Sequence, residues 1–257
     1  MDTNSPGNIE WIDAEDSFLN IYCDIETFPW GRRYLWAEGP DHQKFNFIRL
    51  LDMEIDQSAF NDIINEQTHY YKMHSKSLYV KIGDSLFTET PKILANFSPM
   101  GTPLVSVLVD SSSLSPPETN DAITIKKCVD KADLELFIAA NASAREWPLG
   151  HPVYNGMRAS FTNGGTEECY LLFLNGEPAC TTAITYFNDK FNSAAAGTHK
   201  NFQRLGLFNY MKHWIAHEIQ KDFYVQLNEG EASFTYYSKL PGAKIVNTEY
   251  SFTASKE

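Results

Sequence analysis

Residues 193–208 join a strand end of small side chains to a glycine turn and a helix start, a combination suited to a phosphate-bearing ligand. Ser193-Ala194-Ala195-Ala196 carries almost no side-chain bulk, so an extended ligand can lie against its backbone. Gly197, Thr198 and His199 lead on to Gln203-Arg204-Leu205-Gly206-Leu207-Phe208. Leu207, Tyr210, Met211, Trp214, Ile215 and Ile219 then recur at helical spacing. The first amides of such a helix have no intrahelical partner, and its dipole favours negative charge, so the turn can hold an anion. A P-loop is excluded, because no Gly-Lys-Ser/Thr follows the glycine.

Other chemistry-bearing residues form weaker patterns. His213 and His217 are one helical turn apart but have no third ligand in view, and His69 and His74 share no helical face. No metal is expected. Cys23, Cys128, Cys169 and Cys180 show no CxxC spacing and suit reduced thiols. Around Arg32 and Arg33, the residues Phe28, Trp30, Tyr34 and Trp36 suit aromatic packing beside an ion pair better than a binding surface.

The elements that position the central stretch follow from periodicity and turn chemistry. Residues 170–174 and 179–187 flank Asn175-Gly176, a hairpin turn, and residues 191–197 supply a third strand. The helix after Gly206 is followed by a strand at 223–227, a helix at 232–239 and a closing strand at 245–252. Upstream of the hairpin come a strand at 122–127, a helix capped by Asp130 or Asp133 and ending near Asn141, and a loop-rich region at 142–165. In the first half, Ser58 caps a helix running towards Tyr71, residues 78–82 and 86–87 read as a hairpin, and 92–97 and 104–109 read as strands. Residues 111–120, rich in Ser and Pro, form the best linker. The expected organisation is an α+β domain over 1–112, a linker at 113–121 and an α/β domain with a mixed sheet over 122–257. No internal repeat is visible in residue identity.

The chain has 257 residues, 43% hydrophobic and 14% aromatic, enough for one large core or two small ones. Its formal net charge of -12 argues against a nucleic-acid backbone and fits an amine-bearing partner. The polar start lacks the basic and apolar regions of a signal peptide, and no apolar run approaches membrane-spanning length. The expectation is a cytoplasmic protein with neither nucleic acid nor membrane as partner.

Over residues 122–252 the pattern resembles the GNAT acetyltransferase superfamily. The family's strand-to-helix motif is Gln or Arg, two residues, Gly, one residue, then Gly or Ala; here it reads Gln203 to Phe208. Alone, such a match arises by chance on the order of twice in a chain this long. Its position after a three-strand meander and at the head of an amphipathic helix makes it specific. Tyr237-Ser238-Lys239-Leu240-Pro241-Gly242-Ala243 is similar to the family's Tyr-x-x-Leu-Gly-Phe signature. Three departures stand out: Phe208 replaces a small residue, Pro241 adds one residue, and Ala243 replaces an aromatic.

The resemblance implies an acyl-CoA N-acyltransferase fold, preceded by a second α+β domain that has lost the motif. It implies acetyl-CoA as co-substrate and a primary amine as acceptor. The amides of Arg204, Leu205, Gly206, Leu207 and Phe208, following Gln203, would hold the pyrophosphate. The pantetheine arm would pair with the backbone at Ala195, Ala196, Gly197 and Thr198. A strand amide there would steady the oxyanion, and Tyr237 would be the general acid. Arg204 points either to a phosphate or to solvent, and no general base is assigned, with Glu167, Glu168 and Asp189 the nearby acids. The alternative is a non-catalytic acyl-CoA-binding or protein-interaction module on the same scaffold.

Overall fold

The computed structural model describes residues 7–51, 55–84, 94 and 97–254. Among them, six helices pack on one continuous eleven-stranded mixed sheet. In chain order the elements are α1 (Gly7–Leu19), β1 (Asp24–Phe28), β2 (Gly31–Leu35), β3 (Phe47–Leu50), α2 (Gln57–Met73), β4 (Tyr79–Gly83) and β5 (Phe97–Val109). After a short 3₁₀ turn at Ser111–Ser113 come β6 (Ile123–Lys127), α3 (Lys131–Arg145), α4 (Pro152–Thr162), β7 (Glu168–Leu174), β8 (Glu177–Phe187) and β9 (Lys190–Thr198). The chain closes with α5 (Leu207–Ile219), β10 (Phe223–Asn228), α6 (Ala232–Tyr237) and β11 (Ala243–Ala254).

The two halves repeat one topology that residue identity hides. In each, an antiparallel meander (β1-β2-β3, then β7-β8-β9) leads through a crossover helix (α2, then α5) to a strand parallel to the meander's last. Parallel neighbours need such a crossover, and a helix supplies it. The closing strands are exchanged. β5, from the first half, pairs with β10, whereas β11, from the second, pairs with β4, and β5 and β11 pair with each other at the centre of the sheet.

Alternation along the strands sends side chains to two faces. Cys169, Leu171 and Ala183 meet Phe18 and Leu19 of α1 and Leu134, Phe137 and Ile138 of α3, while Leu172, Cys180 and Ile184 meet Leu207, Met211 and Ile215 of α5. Phe60 and Tyr71 of α2 cover Ile48, Leu50, Val80 and Ile82 on the α5 side of the sheet.

Several local expectations change. Asp56, not Ser58, caps α2, accepting from Ala59 N at 2.8 Å. Asp130 caps α3, which runs on to Arg145. Residues 152–162 are helical rather than loop: Pro152 stands in the first turn, where a missing N–H costs nothing, and His151 Nδ1 accepts from Val153 N. Leu86 and Phe87, the second arm of the expected hairpin, lie outside the described residues, as does most of the strand expected at 92–97. β4 itself pairs with β3 and β11. Arg32 pairs with Asp13 and Asp16, and Arg33 with Glu26 at 2.7 Å while stacking 3.5 Å over the Tyr70 ring.

A buried ionic network ties the halves together. Arg49, 1% exposed, donates through Nε to Glu249 at 2.7 Å, through Nη1 to Tyr34 Oη at 2.9 Å, and through Nη2 to Glu15. Lys81 Nζ lies 3.1 Å from Glu249 and 3.8 Å from Glu15. Burial raises the Glu15 carboxyl, but Arg49 and Lys81 outweigh it and hold that carboxyl well below its usual range. Glu249→Gln unbalances this set across the exchanged strand and is expected to cost about 2–3 kcal/mol. Urea unfolding followed by fluorescence and by circular dichroism should show one coincident transition at lower midpoint; an unchanged midpoint contradicts the network's role.

Candidate active site

The site follows from where two parallel strands part. β9 and β10 pair only at Phe191–Phe223, Asn192–Tyr224 and Ser193–Val225. Beyond this, β10 stays with β5 as far as Asn228, whereas β9 bends away through a bulge at which the β8 register shifts between Thr181 and Ala183. Ala195 takes the bulged position with φ 44, a left-handed conformation that only a small side chain holds cheaply. The resulting wedge opens into a cavity of about 620 Å³ bounded by residues 192–196 and 225–228, by Phe208, and by Phe18, Lys44 and Met100 from the first half. In the first half, by contrast, β3 is paired with β4 along its whole length.

The small residues of β9 serve two neighbours. Asn141 Nδ2 donates to Ala195 O at 2.8 Å and Arg145 Nη2 to Ala196 O at 3.2 Å. A Cβ on Gly197 would lie 2.8 Å from Ala144 Cβ. The bulk-free stretch that sequence assigns to a ligand therefore also lets α3 pack close. Thr198 lies at the far end of the same strand, half-buried.

At the head of α5, Gly206 has φ 76 and Arg204 φ 65, and no side chain caps the helix. Tyr210 N donates to Gly206 O at 3.0 Å, so the ladder starts there and leaves the amides just ahead of it without intrahelical acceptors. Gln203, Arg204, Leu205 and Gly206 are exposed, Leu207 is buried, and a Cβ on Gly206 would meet nothing within 4 Å. The turn is open, and the first amides of α5 lie free of any side-chain cap.

Tyr237 ends α6 fully buried, its hydroxyl without a hydrogen-bond partner. Its ring meets Tyr236 at 5.2 Å and Phe208 edge-on at 6.3 Å. Phe208 lines the cavity and Tyr237 does not, so the phenol sits behind Phe208. Burial raises the Tyr237 phenol well above its ordinary value, which keeps it protonated at neutral pH.

Sequence reasoning missed Lys212. It is 2% exposed on α5, and its Nζ donates to Thr182 Oγ1 at 2.6 Å and to Ser193 Oγ. Its spacing from Phe208 and Ile215, on the apolar stripe, was the available signal. Burial pulls its ammonium down from 10.5 to about 7. The unfolded chain keeps that proton up to about 10.5 and the folded chain yields it near 7, so stability rises with pH between the two. Lys212→Met is expected to raise stability at pH 7 by about 1–3 kcal/mol, the gain shrinking as pH climbs through that window. Melting temperatures at several pH values test this, and a gain that widens with pH contradicts it.

The remaining candidates lie elsewhere. Glu168 is held by Lys127, Tyr170 and Tyr186, Glu167 by Ser160, and Asp189 by Lys190; none lines the cavity. His199 Nδ1 accepts from Asn201 N at 3.3 Å in the turn before α5. His213 bridges Ser115 O and Tyr236 Oη. Among the described residues, no group of three or more His, Cys, Asp or Glu side chains is placed to hold a metal, and no helix is long and apolar enough to cross a membrane.

No protein-family model and no curated protein sequence matches the chain. Solved structures do. A GCN5-related N-acetyltransferase from Kribbella flavida superposes with a TM-score of 0.72 at 14% identity, covering 99% of this chain and 98% of its own. A conserved protein of unknown function from Staphylococcus epidermidis gives 0.68 at 12% identity, over 93% of this chain and 98% of its own. A tandem GNAT protein from the clavulanic acid biosynthesis pathway gives 0.57 at 10%, over 82% of this chain and 76% of its own. The resemblance extends over nearly the whole chain, both halves included, and the chain has the fold of the GNAT acetyltransferases.

Proposed function

We propose that the protein is an acetyl-CoA-dependent N-acetyltransferase that moves an acetyl group to a primary amine. The observation that carries this reading is the wedge between β9 and β10, with the uncapped, glycine-started helix α5 at its side. Three features suit acetyl-CoA: the open turn at Gly206, the edge of β10 left without a β9 partner beyond Val225, and the orphan hydroxyl of Tyr237. In this reading the amides of residues 204–208 hold the pyrophosphate and residues 195–198 lie along the pantetheine arm. The bound thioester supplies the activated acetyl group. As the amine nitrogen bonds to the acetyl carbon and the carbon–sulfur bond breaks, the chain's own part is to orient the two, to steady negative charge on the carbonyl oxygen through a β9 amide, and to give the leaving sulfur a proton from Tyr237. The proton lost by the amine passes to water, and water restores the phenol.

On the same reading the chain is two repeats, 1–112 and 122–257, joined by a linker at 113–121. The first has lost the Gln-x-x-Gly turn and serves as a wall of the acceptor site. Because the closing strands are exchanged, neither repeat folds without the other.

A second reading has an observation of its own: Phe208 stands between Tyr237 and the cavity. It gives a module that binds acyl-CoA without turning it over. Thiol release from acetyl-CoA, measured against a panel of primary amines, separates the two. Amine-dependent release supports the enzyme; tight binding with no release for any amine supports the module.

A further inference from the structure

The cavity's charges say more about the acceptor than the net charge of the chain does. Lys44, between β2 and β3, and Arg145, in the last turn of α3, both line it. Lys44 Nζ lies 5.7 Å from the Phe18 ring centre and 5.9 Å from that of Phe45, and no carboxylate among the described residues comes within 4.0 Å of it. Arg145 meets only neutral acceptors, Ala196 O and Asn141 Oδ1. Two carboxylates also line the cavity. Glu15 is consumed by Arg49 and Lys81, which with Glu249 form a set of two cations and two anions. Glu231 is exposed and bonded by Asn228 Nδ2 at 2.6 Å.

Lys44 and Arg145 are thus two cations facing one cavity with no carboxylate paired to either among the described residues; Glu15 and Glu231 act on them only from a distance. Burial, and then the charge of Arg145, pull the Lys44 ammonium down to about 8 against a smaller upward pull from Glu15. Their place on the sheet matters as much. Lys44 rests on Phe18 and Phe45, in the core that α1 and α3 share, whereas the Gly206 turn opens α5 on the opposite face. An anion held by Lys44 is therefore not the one cradled at the turn. A polyamine, which the overall charge of -12 would invite, would press its second ammonium against two cations.

We propose that the acceptor is an amino acid, a primary amine carrying a carboxylate, and that Lys44 with Arg145 holds that carboxylate while the amine faces the wedge. This rests on the acetyltransferase reading above. Amino acids and their decarboxylated counterparts test it as matched pairs: phenylalanine with phenethylamine, leucine with isoamylamine, lysine with cadaverine. Acetyl-CoA binding is followed in parallel by calorimetry. The expected result is a kcat/KM at least about tenfold higher for an amino acid than for its partner amine. Lys44→Gln should raise the amino-acid KM by about 10–100-fold, leave acetyl-CoA affinity within about twofold, and spare the partner amine. Lys44→Arg should restore most of the preference, and together with the matched pairs it decides the matter if Lys44→Gln fails to fold.

Equal use of the two classes, no turnover of any amino acid, or equal damage to both by Lys44→Gln overturns the amino-acid proposal. If acetyl-CoA still binds in those cases, the cofactor assignment stands. No acetyl-CoA binding overturns both.

Discussion

Tyr237→Phe is expected to lower kcat by about 10²–10⁴-fold while leaving acetyl-CoA affinity within about twofold. The hydroxyl is buried and has no partner, and an unsatisfied buried polar group costs about 1–3 kcal/mol. A residue that served packing alone would do better as phenylalanine, with the same ring against Phe208 and Tyr236 and no orphan oxygen. The variant should therefore melt at or above the wild-type temperature while losing turnover. This opposition keeps a loss of rate from being mistaken for a loss of fold. Steady-state kinetics beside thermal melting provides the check. A variant that is more stable and equally active would reduce Tyr237 to a core residue.

Gly206→Trp is expected to lower acetyl-CoA affinity by at least about 100-fold with the fold intact. At φ 76 an L side chain costs about 1–2 kcal/mol. An added Cβ meets nothing within 4 Å, so the indole has free space, and that space is where a phosphate would approach the amides of α5. Gly206→Ala, with the backbone penalty but little bulk, should lose about tenfold. Calorimetric titration of both variants, with circular dichroism to confirm folding, measures the difference. Equal affinities for Gly206→Trp and wild type would move the ligand away from this turn.

Legibility in the sequence depended on whether a feature is specified locally. Asn175 and Gly176 adopt φ 52 and φ 82, as a two-residue hairpin turn requires, and the dipeptide announces it. Asp130 announces α3 in the same way, through the amide of Asp133 that it accepts. α1 was hidden because its carboxylates face inward: Glu15 and Asp16 are buried against Arg49, Arg32 and Tyr34, whereas pattern reading sends acids to solvent. α4 was hidden by Gly156, which reads as a loop residue. A Cβ there would lie 2.6 Å from the Tyr22 ring, so the glycine answers to a residue far away in sequence.

The exchange of β5 and β11 is not a local property at all. Each strand reads the same whichever neighbour it takes, and the choice becomes visible only in the pairing. Within the site, Gln203 to Phe208 was legible because a turn and a helix start are written in consecutive residues. Lys44 was not, since what sets it apart is the absence of a paired carboxylate, a fact about three dimensions; Lys212 was marked only by its place on the apolar stripe of α5.

The most direct test of the account is calorimetric titration of the intact chain with acetyl-CoA. The wedge and the open turn together lead to one saturable site per chain, with a Kd on the order of 1 µM to 1 mM, competed by free coenzyme A. Titration to several millimolar with no saturable heat, repeated at a second temperature to avoid a null enthalpy, would contradict it and leave the GNAT fold here as a scaffold for other work.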